Sequence, residues 1–258
     1  MSLPPERLSR FARHIVLPEV GGAGQVALAE AHVLMVGCGG IGSPALQYLA
    51  AAGIGRLTLV DSDVVEESNL QRQTIFTPAD LGMPKAEAAA EWVRQFDRAI
   101  EVLPVVGRLG VDNAGQVFDG TQLVLDGCDN FATRLAVSDA CVAAGIPLTT
   151  AAIGRFQGQI ANFSGHLADQ PCYRCFVGDA FDEDDCDSCA ADGVLGAMAG
   201  IVGSFAAMHA IRVILSGRAA LGDPQWGKLH LFEGLGPSLR TLRIAKDPDC
   251  RGCGGSSR

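Results

Sequence analysis

The chain has 258 residues, 48% of them hydrophobic, and a formal net charge of −9, which suits one large α/β domain or two small ones and excludes a wholly disordered chain. Its 20 basic residues are scattered among 29 acidic ones, which argues against a nucleic-acid partner, because affinity for phosphate backbones comes from clustered Lys and Arg. The start, MSLPPERLSRFARHIVLPE, interrupts with Arg and Glu the apolar run that a secretory signal needs, so a cytoplasmic protein is expected.

Residues 5–17 place Leu8, Phe11 and Ile15 at helical spacing with Arg7, Arg10 and Arg13 on other faces, which predicts one amphipathic arm helix. The Gly21, Gly22 and Gly24 cluster should end it, making 1–24 an arm and 25–254 a single domain. From Val33 onward apolar strands alternate with helical stretches. Strands are expected at 33–36, 57–60, 100–105, 123–125 and 148–151, and helices at 43–52, 84–96, 112–118 and 131–144. This alternation predicts a Rossmann-like, doubly wound, mainly parallel sheet that binds ligands beyond its strand C-termini. Stretches 155–163, 228–232 and 239–244 read as antiparallel strands extending it. Residues 194–211 carry no formal charge and fall at the length of a bilayer span, but Ser204, His209 and three glycines favour a buried packing helix. No membrane association is expected. Residues 179–192 read as an Asp-rich loop.

Gly37, Gly39 and Gly42 lie between a strand and a helix in VGCGGIG, where, with Gly40, backbone N–H groups and a helix N-terminus can meet phosphate oxygens. Asp61 ends the next strand and suits a ribose, in NAD or ATP alike. Discrimination comes from Asn69, Arg72 and Gln73 in SNLQRQ and Lys85 in GMPKAEAAA, since two cations at one phosphate site suit a triphosphate undergoing transfer. Asp126 and Asp129 share a strand end in LVLDGCDN, where a carboxylate can hold Mg²⁺ against phosphates. Simpler roles compete: Asp129 as a helix cap and Arg72 in an ion pair.

Nine cysteines in a reducing compartment point to metal ligation or thiol chemistry. Three CxxC pairs occur, Cys172 with Cys175, Cys186 with Cys189, and Cys250 with Cys253, and a structural zinc needs two of them. Ten residues separate the first pair from the second and 74 separate it from the third, so spacing alone slightly favours the first two. Cys38, Cys128 and Cys141 read as packing residues, and the five histidines, dispersed along the chain, receive no role.

Taken together, RFARHIVLPE, VGCGGIGSPALQYLAAAGIG, DSDVVEESNLQRQTIF, PKAEAA, DGCDN, CYRC and CRGCG resemble the bacterial adenylyltransferases related to ubiquitin-activating enzymes, over roughly residues 7–254. The resemblance implies a homodimer that uses MgATP to adenylylate the C-terminal Gly-Gly carboxylate of a small ubiquitin-like sulfur-carrier protein. It implies a ribose contact at Asp61, phosphate and active-site contacts at Asn69, Arg72, Gln73 and Lys85, a magnesium-linked acid at Asp129, and Arg13 supplied across a dimer interface. It also implies zinc on Cys172, Cys175, Cys250 and Cys253, and leaves Cys189 as a candidate thiol, with Cys186 unplaced. The stretch CAADGVLGAMAGIVGS leans toward molybdopterin synthesis, with the thiamine pathway as the alternative. The chain's end soon after Cys253 suggests that sulfur comes from a separate donor protein. A nicotinamide-dependent dehydrogenase and a non-catalytic scaffold are the rivals of a different class.

Overall fold

The computed structural model describes residues 4–178 and 193–254; Cys186 and Cys189 lie outside the described residues. Eight strands form one sheet in the order β3-β2-β1-β4-β5-β6-β7-β8. Strands β1 (His32–Val36), β2 (Arg56–Asp61), β3 (Glu101–Val106), β4 (Leu123–Asp126) and β5 (Leu148–Gly154) run parallel. Strands β6 (Gln157–Phe163), β7 (Lys228–Glu233) and β8 (Ser238–Arg243) extend it antiparallel. This is the expected mainly parallel sheet with an antiparallel wing, and the strand bounds match to within one to three residues.

Every residue of β1 is buried, as a strand covered on both faces requires. Val33 and Met35 face a core built with α3 (Gly21–Glu30), α4 (Gly42–Ala52), α5 (Lys85–Phe96) and the long helix at Gly196–Ile214. Leu34 and Val36 face the opposite core, under α6 (Val111–Val117), α7 (Phe131–Ala144) and α8 (Tyr173–Val177). The long helix, α9, is apolar enough by length and composition to cross a membrane. Met198, Ala199, Val202, Ala206, Ala210 and Val213 are instead buried within the molecule, and α9 packs on α4, β5 and β6.

Two features of the N-terminal region correct the expectation. The arm is not one helix: α1 (Pro5–Arg10) and α2 (Ala12–Ile15) flank Phe11, whose φ of −102° and ψ of 13° leave the helical region. Phe11 is 2% exposed, and its ring fills the space a Cβ at Gly53 would occupy. Burial of that ring outweighs the helical repeat. Arg7 and Arg10 then hold the buried carboxylate of Asp97. Second, the glycine cluster does not end a helix; it begins α3. A Cβ at Gly24 would lie 3.1 to 3.5 Å from Val20, Ala219 and Leu215, so glycine allows α3 to approach the end of α9. Tertiary contact overrides the helix-breaking propensity there.

Candidate functional site

The β1 register sets Val36 level with Val60 of β2 on one side and Asp126 of β4 on the other. The chain leaves β1 at Gly37 and turns into α4 at Gly42. Gly37 has φ +88°, which disfavours any side chain. A Cβ at Gly42 would sit 2.1 Å from the Gly37 carbonyl oxygen, so the turn closes only with glycine at both positions. Asp61, at the end of β2, folds its carboxylate back onto this turn: Oδ2 accepts from the Cys38 N–H at 2.7 Å and Oδ1 from the Asp63 N–H at 2.8 Å. Burial nevertheless raises its pKa, the two N–H bonds and Lys85 opposing the rise.

After β2 a short 3₁₀ turn at Glu67–Asn69 presents Asn69, Arg72 and Gln73 to the same place. The Asn69 Oδ1 accepts from the Glu66 N–H at 3.3 Å. Arg72 donates to the Ser68 carbonyl at 2.9 Å and makes no ion pair among the described residues. Gln73 is 3% exposed, and its Oε1 has no hydrogen-bond partner among the described residues, the kind of orphan acceptor a bound donor satisfies. Lys85, 6% exposed at the start of α5, gives its ammonium to Asp63 Oδ2 at 2.9 Å.

Beyond β4 the two acids separate in role. Asp126 is fully buried, with Arg134 Nη1 at 3.7 Å; removing one partner of such a pair costs about 3–5 kcal/mol. Asp129 is exposed and makes no hydrogen bond or ion pair among the described residues. The cap of α7 is Asn130, whose side chain accepts from the Thr133 N–H at 2.9 Å, so Asp129 is free of that duty.

These groups line one open cleft of about 820 Å³: Gly37, Gly39, Gly40, Asp61, Asp63, Asn69, Arg72, Gln73, Lys85, Cys128, Asp129 and Arg134 are among its walls. Three expected residues are not, the buried Asp126 among them. Gly42 acts from beneath, as the closing residue of the turn, and Arg13 stands exposed on α2, outside the cleft of its own chain. Sequence reasoning missed Asp63 and Arg134, and read Cys128 as packing although it lines the cleft. Asp63 was legible as the second acid of DSD; Arg134, in the first turn of α7 in TRLA, carried no local signal.

The four sulfurs of Cys172, Cys175, Cys250 and Cys253 lie within 4.8 Å of one another, with Cys172 to Cys250 at 3.6 Å, Cys175 to Cys253 at 3.4 Å and Cys172 to Cys175 at 3.9 Å. A tetrahedral zinc with Zn–S of about 2.3 Å requires sulfurs about 3.8 Å apart, so these residues fit that ion. Among the described residues the long-range pairs come together; the Cys186 and Cys189 pair that spacing alone slightly favours lies outside them. Asp129 at the cleft likewise fits a hard cation, since it has free carboxylate oxygens beside a phosphate-sized glycine turn.

Residues 11–252 match the family described as the ThiF family. The chain belongs to the ThiF family. Over 254 residues it is 41% identical to the SAMP-activating enzyme E1 of Haloferax volcanii, covering 98% of this chain and 92% of that one. It is 41% identical over 252 residues to the sulfur carrier protein adenylyltransferase of Thermus thermophilus, covering 96% and 92%. With the adenylyltransferase and sulfurtransferase MOCS3 of Mus musculus it shares 43% identity over 254 residues, 98% of this chain but 54% of that one, and so spans about half of that relative. Like these ThiF-family relatives, the chain is an adenylyltransferase. A solved structure of E. coli MccB with MccA-N7isoASN superposes with a TM-score of 0.77 at 21% identity, over 95% of this chain and 75% of that one, a likeness of fold.

Proposed function

We propose that this ThiF-family chain uses MgATP to adenylylate the C-terminal Gly-Gly carboxylate of a small ubiquitin-like sulfur-carrier protein. The observation that carries the reading is the convergence of Arg72, Lys85, Asp61 and Asp129 on one cleft at the glycine turn. A carboxylate oxygen of the carrier attacks the α-phosphorus of ATP; a new P–O bond forms, the bond to the β-phosphate bridging oxygen breaks, and pyrophosphate leaves with that electron pair. The product is an acyl-adenylate. Both reactants arrive ionised, so no general base is needed, and acceleration comes from alignment and charge neutralisation.

In this reading the glycine turn and α4 N-terminus receive phosphate oxygens, Asp61 accepts from the ribose hydroxyls, and Asn69 and Gln73 fix the polyphosphate. Lys85 and Arg72 oppose the charge developing around the α-phosphorus. Asp129 holds Mg²⁺, which when bound neutralises phosphate charge. Arg13, exposed on the arm, enters the cleft of a second copy in a homodimer. Zn²⁺ on the four cysteines is structural, the sulfur donor is a separate protein, the carrier serves molybdopterin synthesis, and the enzyme works in the cytoplasm.

Purified enzyme offered a panel of Gly-Gly carriers should exchange labelled pyrophosphate into ATP, fastest with the molybdopterin-pathway carrier. Asp129→Ala should lose exchange by at least about 10²-fold with zinc content unchanged. Tight NADH binding without ATP binding contradicts this reading, and binding of ATP and carrier without exchange favours a scaffold.

A further inference from the structure

The loop that carries Asp129 is held by two buried groups of opposite charge. Asp126 Oδ1 accepts from the Cys128 N–H at 2.9 Å, and Oδ2 accepts from the Thr150 hydroxyl at 3.1 Å. Arg134, 5% exposed one turn into α7, reaches back over the same loop. Its guanidinium lies 3.1 Å from Thr150 Oγ1, donates to the Ala151 carbonyl at 2.9 Å, and donates to the carbonyl of Cys128 itself. Asp126 therefore fixes the N–H of Cys128 and Arg134 fixes its C=O. The next residue is Asp129. The glycine turn rests on this loop too, since a Cβ at Gly37 would meet the Gly127 carbonyl at 3.1 Å.

We infer that Arg134 and Asp126 are positioning residues for the reaction, acting through the Cys128 peptide to preset the Asp129 carboxylate at the cleft. This rests on the reading that Asp129 is the acid that meets the magnesium of MgATP. A buried ion pair contributes little net stability over well-packed apolar residues, and this one spends its hydrogen bonds on a loop backbone in the cleft wall. Reacting groups need placement to a fraction of an ångström, and a misplacement of about 1 Å costs about 10²-fold in rate. A planar fork bridging several acceptors supplies that restraint, whereas a lysine ammonium cannot reproduce the fork.

The test uses Arg134→Lys, which keeps a positive charge facing Asp126. The readout is calorimetric ATP affinity against Mg²⁺ concentration, with no carrier present, together with hydrogen exchange at the Cys128 amide. Arg134→Lys should raise the Mg²⁺ half-saturation of ATP binding about tenfold and speed exchange at Cys128, while the thermal midpoint of the free protein moves little. In an Asp129→Ala background the same substitution should change ATP affinity less than about twofold, since residues acting as a unit are not additive. If Arg134→Lys does not fold, the double variant Arg134→Gln with Asp126→Asn, which leaves no lone interior charge, is read in the same way. A wild-type Mg²⁺ profile in the variant, or an equal loss with and without Asp129, overturns the inference. Absence of pyrophosphate exchange with every carrier, alongside the predicted Mg²⁺ shifts, overturns the carrier assignment alone; an Asp129→Ala protein with wild-type Mg²⁺ dependence overturns both.

Discussion

Gly37 joins the two requirements of the nucleotide turn: a backbone at φ +88° and a neighbour, Gly127, against which a Cβ would stand at 3.1 Å. Gly37→Ala should therefore strain the turn and shift the N–H groups that face the cleft. We expect ATP affinity to fall at least about tenfold, by calorimetry, with strain of about 1–3 kcal/mol also lowering the melting temperature. At this scale the sequence revealed the residues whose spacing is itself the signal: the glycines between strand and helix, Asp61 at the next strand end, and Lys85 opening α5. Partners assembled from distant segments were not legible. Lys85 meets Asp63 across 22 residues and Arg134 meets Ala151 across 17, and no local pattern encodes such a meeting. Asp126 and Asp129 looked equivalent in sequence; only burial separates the acid that clamps the loop from the acid left free.

Helix α9 and strands β6 and β7 enclose a polar cluster that sequence left without a role. His209 and His230 lie 21 residues apart on different elements, yet their rings meet at a tilt of 58° with centroids 4.8 Å apart. Asn162 Nδ2 donates to the Pro224 carbonyl at 2.7 Å and lies 3.2 Å from His209 Nδ1. Burial, then the charges of His230 and Arg212, push the His209 pKa down to about 3; burial also lowers that of His230. Above about pH 6.5 both imidazoles are neutral in the folded and unfolded chain, and neither makes stability depend on pH. As pH falls below that value the unfolded chain takes up protons that the folded chain resists, so stability declines toward about pH 3, by up to about 1.4 kcal/mol per pH unit for His209. Chemical denaturation across this window should show the decline, and His209→Gln should flatten it; an unchanged slope contradicts this account. Elements in the first half were legible because a βαβ rhythm is written in local apolar periodicity. The arm and α3 were not, because Phe11 at Gly53 and Gly24 at the end of α9 are decided by packing between remote segments.

Across the whole molecule, the sheet sets the nucleotide cleft at the C-terminal ends of its parallel strands, and the antiparallel wing leads to the four cysteines. Cys172 and Cys175 flank the start of α8, while Cys250 and Cys253 tether the terminal segment, which also docks through Lys246 Nζ on the carbonyls of Gly165 and Leu167 at 3.0 and 2.9 Å. Arg174 of α8 holds Asp139 of α7 at 2.7 Å, so the knuckle braces the helix that carries Arg134. Removal of Zn²⁺ by a chelator should lower the melting temperature by at least about 5 °C and release one equivalent of zinc per chain, a structural ion being part of folding stability. Three CxxC pairs pointed to a metal in the sequence; that the first and third come together depended on the path of the chain between them. If the cleft activates a carrier carboxylate with ATP as proposed, carrier-dependent ATP–pyrophosphate exchange reports that step. Exchange should require both Mg²⁺ and a carrier ending in Gly-Gly, and should vanish when the final glycine is deleted or its carboxylate is amidated. Exchange that persists with the amidated carrier, or that fails with every Gly-Gly carrier while ATP still binds, would contradict it.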